Sequence, residues 1–418
     1  MKNSYVMKEY SEAIYPIQLS EEDRQYIMKA ATIHPNTPWD KRFFLDELKS
    51  GVRIQTISYV GTIELSNCRI IVQPKFSDAF KGVMKMLAFT EELPFSMTTE
   101  SSANHEKNDL FILFARQFMK LAEKILLQLK KDYVSYTEDL TNVRGRIQML
   151  NTVRTHFGLP KGVVCEFDEL TQNIEENQII FAVLHKIKNH SMFRRDQQLK
   201  RLLMQFESIC VPYQEKDYPK FVYNRLNQHY KSIHIVGKFL FEGLFIDDFH
   251  GKNRSFTTVL IDMNELFERF VVKVFKKFLP TSYVVLHGKR LTDAILLNNQ
   301  SYRHIIPDIV VQHQVTKETT IIDTKYKGYN QKRVATQDIF QLTFYAQYFQ
   351  KTRPYRSTII YPTFEGFLGR TVKIDTNKHN VPGEIMIQNI SIEQLLEWIE
   401  GRAYKKIEQE VLRIVGNI

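Results

Sequence analysis

The chain has 418 residues, with 57 Lys and Arg against 47 Asp and Glu, a formal net charge of +10. Cores tend to split beyond about 250 to 300 residues, so several domains are expected. Hydrophobic residues at 43%, charged residues at 25%, and only 16 Gly with 13 Pro exclude a disordered, collagenous or low-complexity chain.

Cys68, Cys165 and Cys210 lie far apart without paired spacing, which supports neither a disulfide framework nor a zinc ribbon. A reducing, cytoplasmic setting fits this usage. The first residues lack the apolar run of a signal peptide, and no stretch of about 18 apolar residues marks a membrane span. The positive excess favours an anionic partner, of which nucleic acid is the usual one.

From Val52 to Phe76 the pattern alternates with period two and breaks at Ser66-Asn67, a hairpin signal. Residues 1–100 therefore read as a small β-rich N-terminal domain. In 101–255, apolar stripes recur at helical spacing: Leu110 to Ala122, Ile179 to Ile187, Leu199 to Ile209 and Val222 to Leu244. This predicts a helical middle section. Its Arg144-Gly145-Arg146 reads first as a solvated turn, with a phosphate or partner contact as the other reading. From 256 to 418, helix, strand, hairpin, helix and strand interleave, with strands expected at Tyr283–Leu286, Ile305–Gln312, Thr319–Tyr326 and Ser357–Tyr361. That scale of alternation predicts an α/β sheet domain, making the whole chain multidomain α+β.

Several chemistries can be set aside. Gly251-Lys252 invites a P-loop reading, but the required Gly and Ser/Thr positions hold Ile246 and Asn253, so no nucleotide is expected on this chain. The twelve histidines form no H-E-x-x-H, and His185, His190, His229 and His234 read as ordinary surface residues. No serine sits in G-x-S-x-G.

One hairpin stands out. Within a strand, i and i+2 share a face, so Asp323 and Lys325 point one way while Ile322, Thr324 and Tyr326 point the other. If the chain reverses near Thr316, antiparallel pairing sets Asp308 opposite Asp323. Facing carboxylates repel unless a cation lies between them, and magnesium is commonly held by one or two carboxylates with water and phosphate completing its shell. Lys325 would then stand where an ammonium can orient a water or stabilise charge on a phosphoryl oxygen. The same residues also suit a plain surface hairpin carrying an exposed ion pair, a type that contributes about 0 to 1 kcal/mol.

Two neighbours favour the chemical reading. On the helix starting near Asn264, Glu268 borders the apolar stripe while Glu265 faces water. Gln341 and Tyr345, four apart, share one face of the next helix.

The ordered set of a helix Glu, Pro307-Asp308, Asp323-x-Lys325 and Gln341-x-x-x-Tyr345 resembles the PD-(D/E)xK nucleases with a RecB-type helix. More narrowly the chain resembles the McrC family, the nuclease subunits of McrBC-type modification-dependent restriction systems. Tyr59 to Ile63, Ile70 to Lys75, Val143 to Ile147, Asp168 to Thr171, Glu176-Asn177 and Asn264 to Glu268 carry that likeness. It implies that the N-terminal region docks into the ring of an AAA+ GTPase of the McrB type, which recognises modified or otherwise specific double-stranded DNA, while the C-terminal domain cuts it. It further implies that Asp308 and Asp323 bind Mg2+, that Lys325 is catalytic, that Glu268 is an accessory ligand or orienter, and that Gln341 and Tyr345 support the site. Lys327, Lys332 and Arg333 could contact the DNA backbone or form an ordinary basic loop. A catalytically silent activator of a motor and a self-sufficient RecB-type repair nuclease stand as alternatives.

Overall fold

In the computed structural model of the chain the residues described are 3–34, 37–76, 80–93, 109–157, 159, 161–190, 192–242, 258–327, 333–350, 355–363, 370–374 and 383–416. Ile246, Gly251, Lys252, Asn253 and Lys332 lie outside them. Eleven α-helices and twenty strands among the described residues make the fold mixed α/β. The chain divides into two compact units, one built from 1–61, 67–104 and 260–418, the other from 62–66 and 105–259. The N-terminal and C-terminal stretches thus belong to the same compact unit, and the middle section forms the other.

In the first unit, strand Asn3–Lys8 runs parallel to Cys68–Gln73. The larger sheet has six strands in the order Tyr283–His287, Ile309–His313, Thr319–Thr324, Tyr355–Thr363, Gly383–Ser391, Arg370–Ile374. Its first three strands pair antiparallel; Thr319–Thr324, Tyr355–Thr363 and Gly383–Ser391 pair parallel. Parallel neighbours need a crossover, and helix Thr336–Phe349 supplies it.

That helix lays Leu342 and Tyr345 on Val310, Ile321, Ile359, Tyr361, Ile385 and Ile387, all buried. Each such aliphatic side chain contributes about 1.5 to 3 kcal/mol by leaving water. Helix Met263–Phe278 starts where Asp262 accepts a hydrogen bond from the Asn264 amide (2.9 Å) and another from the Ser58 hydroxyl (3.0 Å). It buries Phe267, Phe270, Val271, Val274 and Phe275 completely, and packs on strands Tyr283–His287 and Thr319–Thr324. The C-terminal segment forms two helices, Ile392–Glu400 and Tyr404–Val415, separated by a turn at Gly401.

The second unit holds the expected helices Leu110–Leu126, Glu175–Asn189, Gln197–Glu207 and Lys231–Glu242. It is not wholly helical, because Asp132–Leu140, Val163–Thr171 and Arg146–Ile147 form a three-stranded antiparallel sheet. Most side chains of Asp132–Leu140 are exposed, so this strand lacks the half-buried alternation that marks a strand in sequence. His190 and His234, read from sequence as surface residues, are buried because they fall on the inward faces of packed segments. His234 stacks on Phe221 at 4.1 Å, and burial pushes its pKa down to about 4.

Candidate active site

The register of the hairpin builds the site. Ile309 pairs with Ile322 and Val310 with Ile321, so one step further places Asp308 across from Asp323 at the end of the sheet. Asp308 Oδ2 accepts hydrogen bonds from the Thr324 amide (2.9 Å) and the Thr324 hydroxyl (3.1 Å). Asp323 shares the face of Ile321, looking toward helix Thr336–Phe349, and is 2% exposed.

Lys325 follows on that same face. Its amide donates to the Ile360 carbonyl (2.9 Å), which ties its backbone to the parallel neighbour. Its ammonium lies 3.0 Å from Asp323 Oδ2 and 3.4 Å from Asp338 Oδ1. The contact with Asp323 is an ion pair off the direction of a hydrogen bond, for Oδ2 is buried without a hydrogen-bond partner.

Electrostatics show that these groups share one field. Burial, and next the nearby Asp308, push the Asp323 carboxyl upward, with Lys325 pulling the other way. Burial alone would lower the Lys325 ammonium, but Asp323, Asp338 and Asp308 outweigh it and hold its proton more firmly than usual. Glu268, on helix Met263–Phe278, is likewise raised by burial and then by Asp308. Its Oε1 sits 2.9 Å from His287 Nε2 at the end of strand Tyr283–His287. Glu265 points to water, as the helical wheel predicts.

Gln341 Nε2 donates to the Tyr345 hydroxyl (2.8 Å), and that hydroxyl reaches the Ile306 carbonyl at 3.5 Å, two residues before Asp308. Asp308, Asp323, Lys325, Glu268, Gln341 and Tyr345 therefore converge at one rim of the sheet. Lys327 and Arg333 are exposed. Two participants were not foreseen. Asp338 stands three positions before Gln341, a spacing that already puts both on one helical face. His287 has no comparable signal, since only strand pairing brings it to Glu268.

On the other face of the hairpin strand, the Tyr326 hydroxyl donates to Glu9 Oε1 (2.8 Å), which also accepts from the Lys75 amide (2.9 Å). Glu9 is 2% exposed, its Oε2 has no hydrogen-bond partner, and burial pushes its pKa up to about 7.

A hard divalent cation suits this donor set. Carboxylates outnumber the one ammonium, and a buried carboxylate oxygen lacks a hydrogen bond. Among the described residues no three acidic, histidine or cysteine side chains gather tightly enough to chelate an ion by themselves.

Fold and site together define a class: a mixed α/β protein with an acid-rich, lysine-bearing site at a sheet rim. The family described as McrBC 5-methylcytosine restriction system component matches residues 54–362, and the chain belongs to that family. It is similar in fold to a chain of the solved half-complex from the tetradecameric assembly of Thermococcus gammatolerans McrB AAA+ hexamers with bound McrC, at a TM-score of 0.62 and 16% identity, covering 96% of this chain and 100% of that one. A chain of the Thermococcus gammatolerans McrBC complex aligns at a TM-score of 0.46 and 17% identity, over 66% of this chain and 88% of that one. No curated protein matches. No helix among the described residues is long and apolar enough to cross a membrane.

Proposed function

We propose that this chain is the nuclease subunit of an McrBC-type restriction complex, a Mg2+-dependent endonuclease that cuts DNA phosphodiester bonds and stimulates an AAA+ GTPase of the McrB type. The observation that carries this reading is the convergence of Asp308 and Asp323 on one side of a hairpin with the Lys325 ammonium 3.0 Å from Asp323. Asp308 and Asp323 would hold the cation, with Glu268 as an accessory donor oriented by His287. When bound, Mg2+ supplies Lewis-acid polarisation of the phosphoryl oxygen and a more acidic bound water.

The chain's own residues do the rest. Asp323, Asp338 and Asp308 push the Lys325 ammonium upward against the effect of its burial. It would serve as a cationic hydrogen-bond donor to a non-bridging phosphate oxygen or to the attacking water. Thr324 fixes Asp308 through two hydrogen bonds, and the Gln341–Tyr345 pair braces the preceding turn at Ile306. Lys327, Lys332 and Arg333 would grip the backbone of the substrate without reading its sequence.

The resemblance gives ring docking to the N-terminal region, 1–100; the three-stranded sheet of the second unit and its short helix Met149–His156 offer a further surface for the ring. No residue of that helix is buried, and Met149, Leu150, Val153 and Phe157 are 68%, 76%, 56% and 88% exposed. Contiguous exposed apolar groups of this kind mark interaction surfaces.

Asp323→Ala or Lys325→Ala in the reconstituted complex should cut DNA at least about 100-fold more slowly, the usual effect of deleting one electrostatic contact to the transition state. GTPase stimulation should persist in both. Variants that cut at the wild-type rate would remove these residues from the mechanism. A wild-type complex that moves on DNA yet makes no ends under any divalent metal would leave only the activator role.

A further inference from the structure

Resting on the nuclease reading above, we propose that Asp338 is a positioning residue of that site: it keeps the Lys325 ammonium in place when Asp323 gives its carboxylate to a divalent cation. Lys325 is held at two points. Its backbone is fixed by the hydrogen bond to Ile360, and its ammonium lies 3.0 Å from Asp323 Oδ2 and 3.4 Å from Asp338 Oδ1. The two acids come from different elements, the hairpin strand and the first turn of helix Thr336–Phe349.

This double hold matters because Asp323 has two tasks that compete. A carboxylate neutralised by a divalent cation attracts an ammonium weakly, and the cation itself repels that ammonium at such short range. A lysine with only Asp323 as partner would swing into water, since its stem is flexible and its head strongly hydrated. Asp338 reaches the ammonium from a different element, helix Thr336–Phe349, and at 16% side-chain exposure it is shielded enough from solvent to hold it.

An acid in the first turn of a helix also suits the helix dipole. That simpler role would respond neither to metal nor to the state of Lys325, which makes the two separable.

The test uses the full-length chain. Competitive acetylation of Lys325, read by mass spectrometry with and without millimolar Mg2+, reports how firmly the ammonium is held. In the wild type Mg2+ should leave Lys325 protected. In D338N, Mg2+ should raise its labelling about tenfold, the effect of losing about one pKa unit of stabilisation, and D338E should restore protection. D338S, read the same way, covers the case of D338N failing to fold. In the assembled complex D338N should lower kcat about tenfold or more with KM for DNA nearly unchanged, as expected when a catalytic group is misplaced and not lost. Magnesium uptake, measured by calorimetry, with Lys325 equally protected in wild type and D338N overturns this inference alone. A wild-type chain that takes up no Mg2+ overturns it together with the reading on which it rests.

Discussion

Glu9→Gln gives a stability change with a calculable size and sign. The Glu9 carboxyl is buried beside Tyr326 and its pKa rises from 4.5 to about 7 on folding, chiefly through loss of water. A carboxyl that binds its proton more tightly in the folded chain favours folding where the proton is on. That advantage is complete below pH 4.5 and is lost as pH climbs through about 7. The displacement of about 2.5 pKa units corresponds to about 3 kcal/mol, nearly all of it lost by pH 8. Glutamine keeps an oxygen for Tyr326 and the Lys75 amide but does not titrate. Wild type and variant should therefore differ little at pH 5, whereas by pH 8 the variant should be more stable by about 2 to 3 kcal/mol. Urea unfolding followed by tryptophan fluorescence measures this, because Trp39 and Trp398 both belong to the unit that contains Glu9. A difference between the two proteins that stays flat from pH 5 to pH 8.5 would show that Glu9 does not titrate there and would refute the burial argument.

Three further outcomes are expected. Asp308→Asn should raise thermal stability by about 1 kcal/mol, by relieving repulsion on Asp323 and Glu268 while keeping an acceptor for Thr324, yet abolish cutting; differential scanning calorimetry and a plasmid-cleavage assay check the two halves. Magnesium at about 100 times its dissociation constant should stabilise the wild type by about 2.7 kcal/mol, and Asp323→Ala should lose that shift; an equal melting-temperature shift in both proteins would place the ion elsewhere. Gly145 has φ +70°, and a Cβ there would press on the Glu166 carbonyl and the Phe167 side chain. Gly145→Ala should thus cost the three-stranded sheet about 2 kcal/mol or more and weaken ring binding, measurable by hydrogen exchange of residues 132–171 and by analytical ultracentrifugation with the partner. Full binding by a variant whose sheet exchanges freely would take the docking surface off this part of the chain.

Much of the site could be read from the order of residues. The alternation at 309–313 and 319–324 marks a hairpin, and a turn near Thr316 sets the register that brings Asp308 to Asp323. The four-residue spacing of Gln341 and Tyr345 needs nothing beyond helix geometry, and the pair bonds as that spacing predicts. The hairpin Leu291–Leu297 with Gln300–Ile305 turns on Asn298 and Asn299, both at positive φ, but its largely exposed later strand carries no burial pattern to announce it. Arg144 was read as part of a solvated turn; its guanidinium lies over the Phe167 ring at 4.0 Å and 3.6 Å from Glu169, contacts that depend on strand pairing. The same holds for the Glu268–His287 contact and for Glu9 beside Tyr326.

Local order thus determined the strongly periodic helices and the site hairpin, and which acids and lysine can share a face, because periods of 3.6 and 2 are properties of the backbone and need no distant partner; the exposed strands Asp132–Leu140 and Gln300–Ile305 carry no such period. Tertiary structure decided which groups from remote segments meet, how deeply each is buried, and so how strongly Asp308, Asp323, Asp338 and Lys325 act on one another. Coulomb energy and desolvation depend on distance and dielectric, and neither quantity is written in a linear chain.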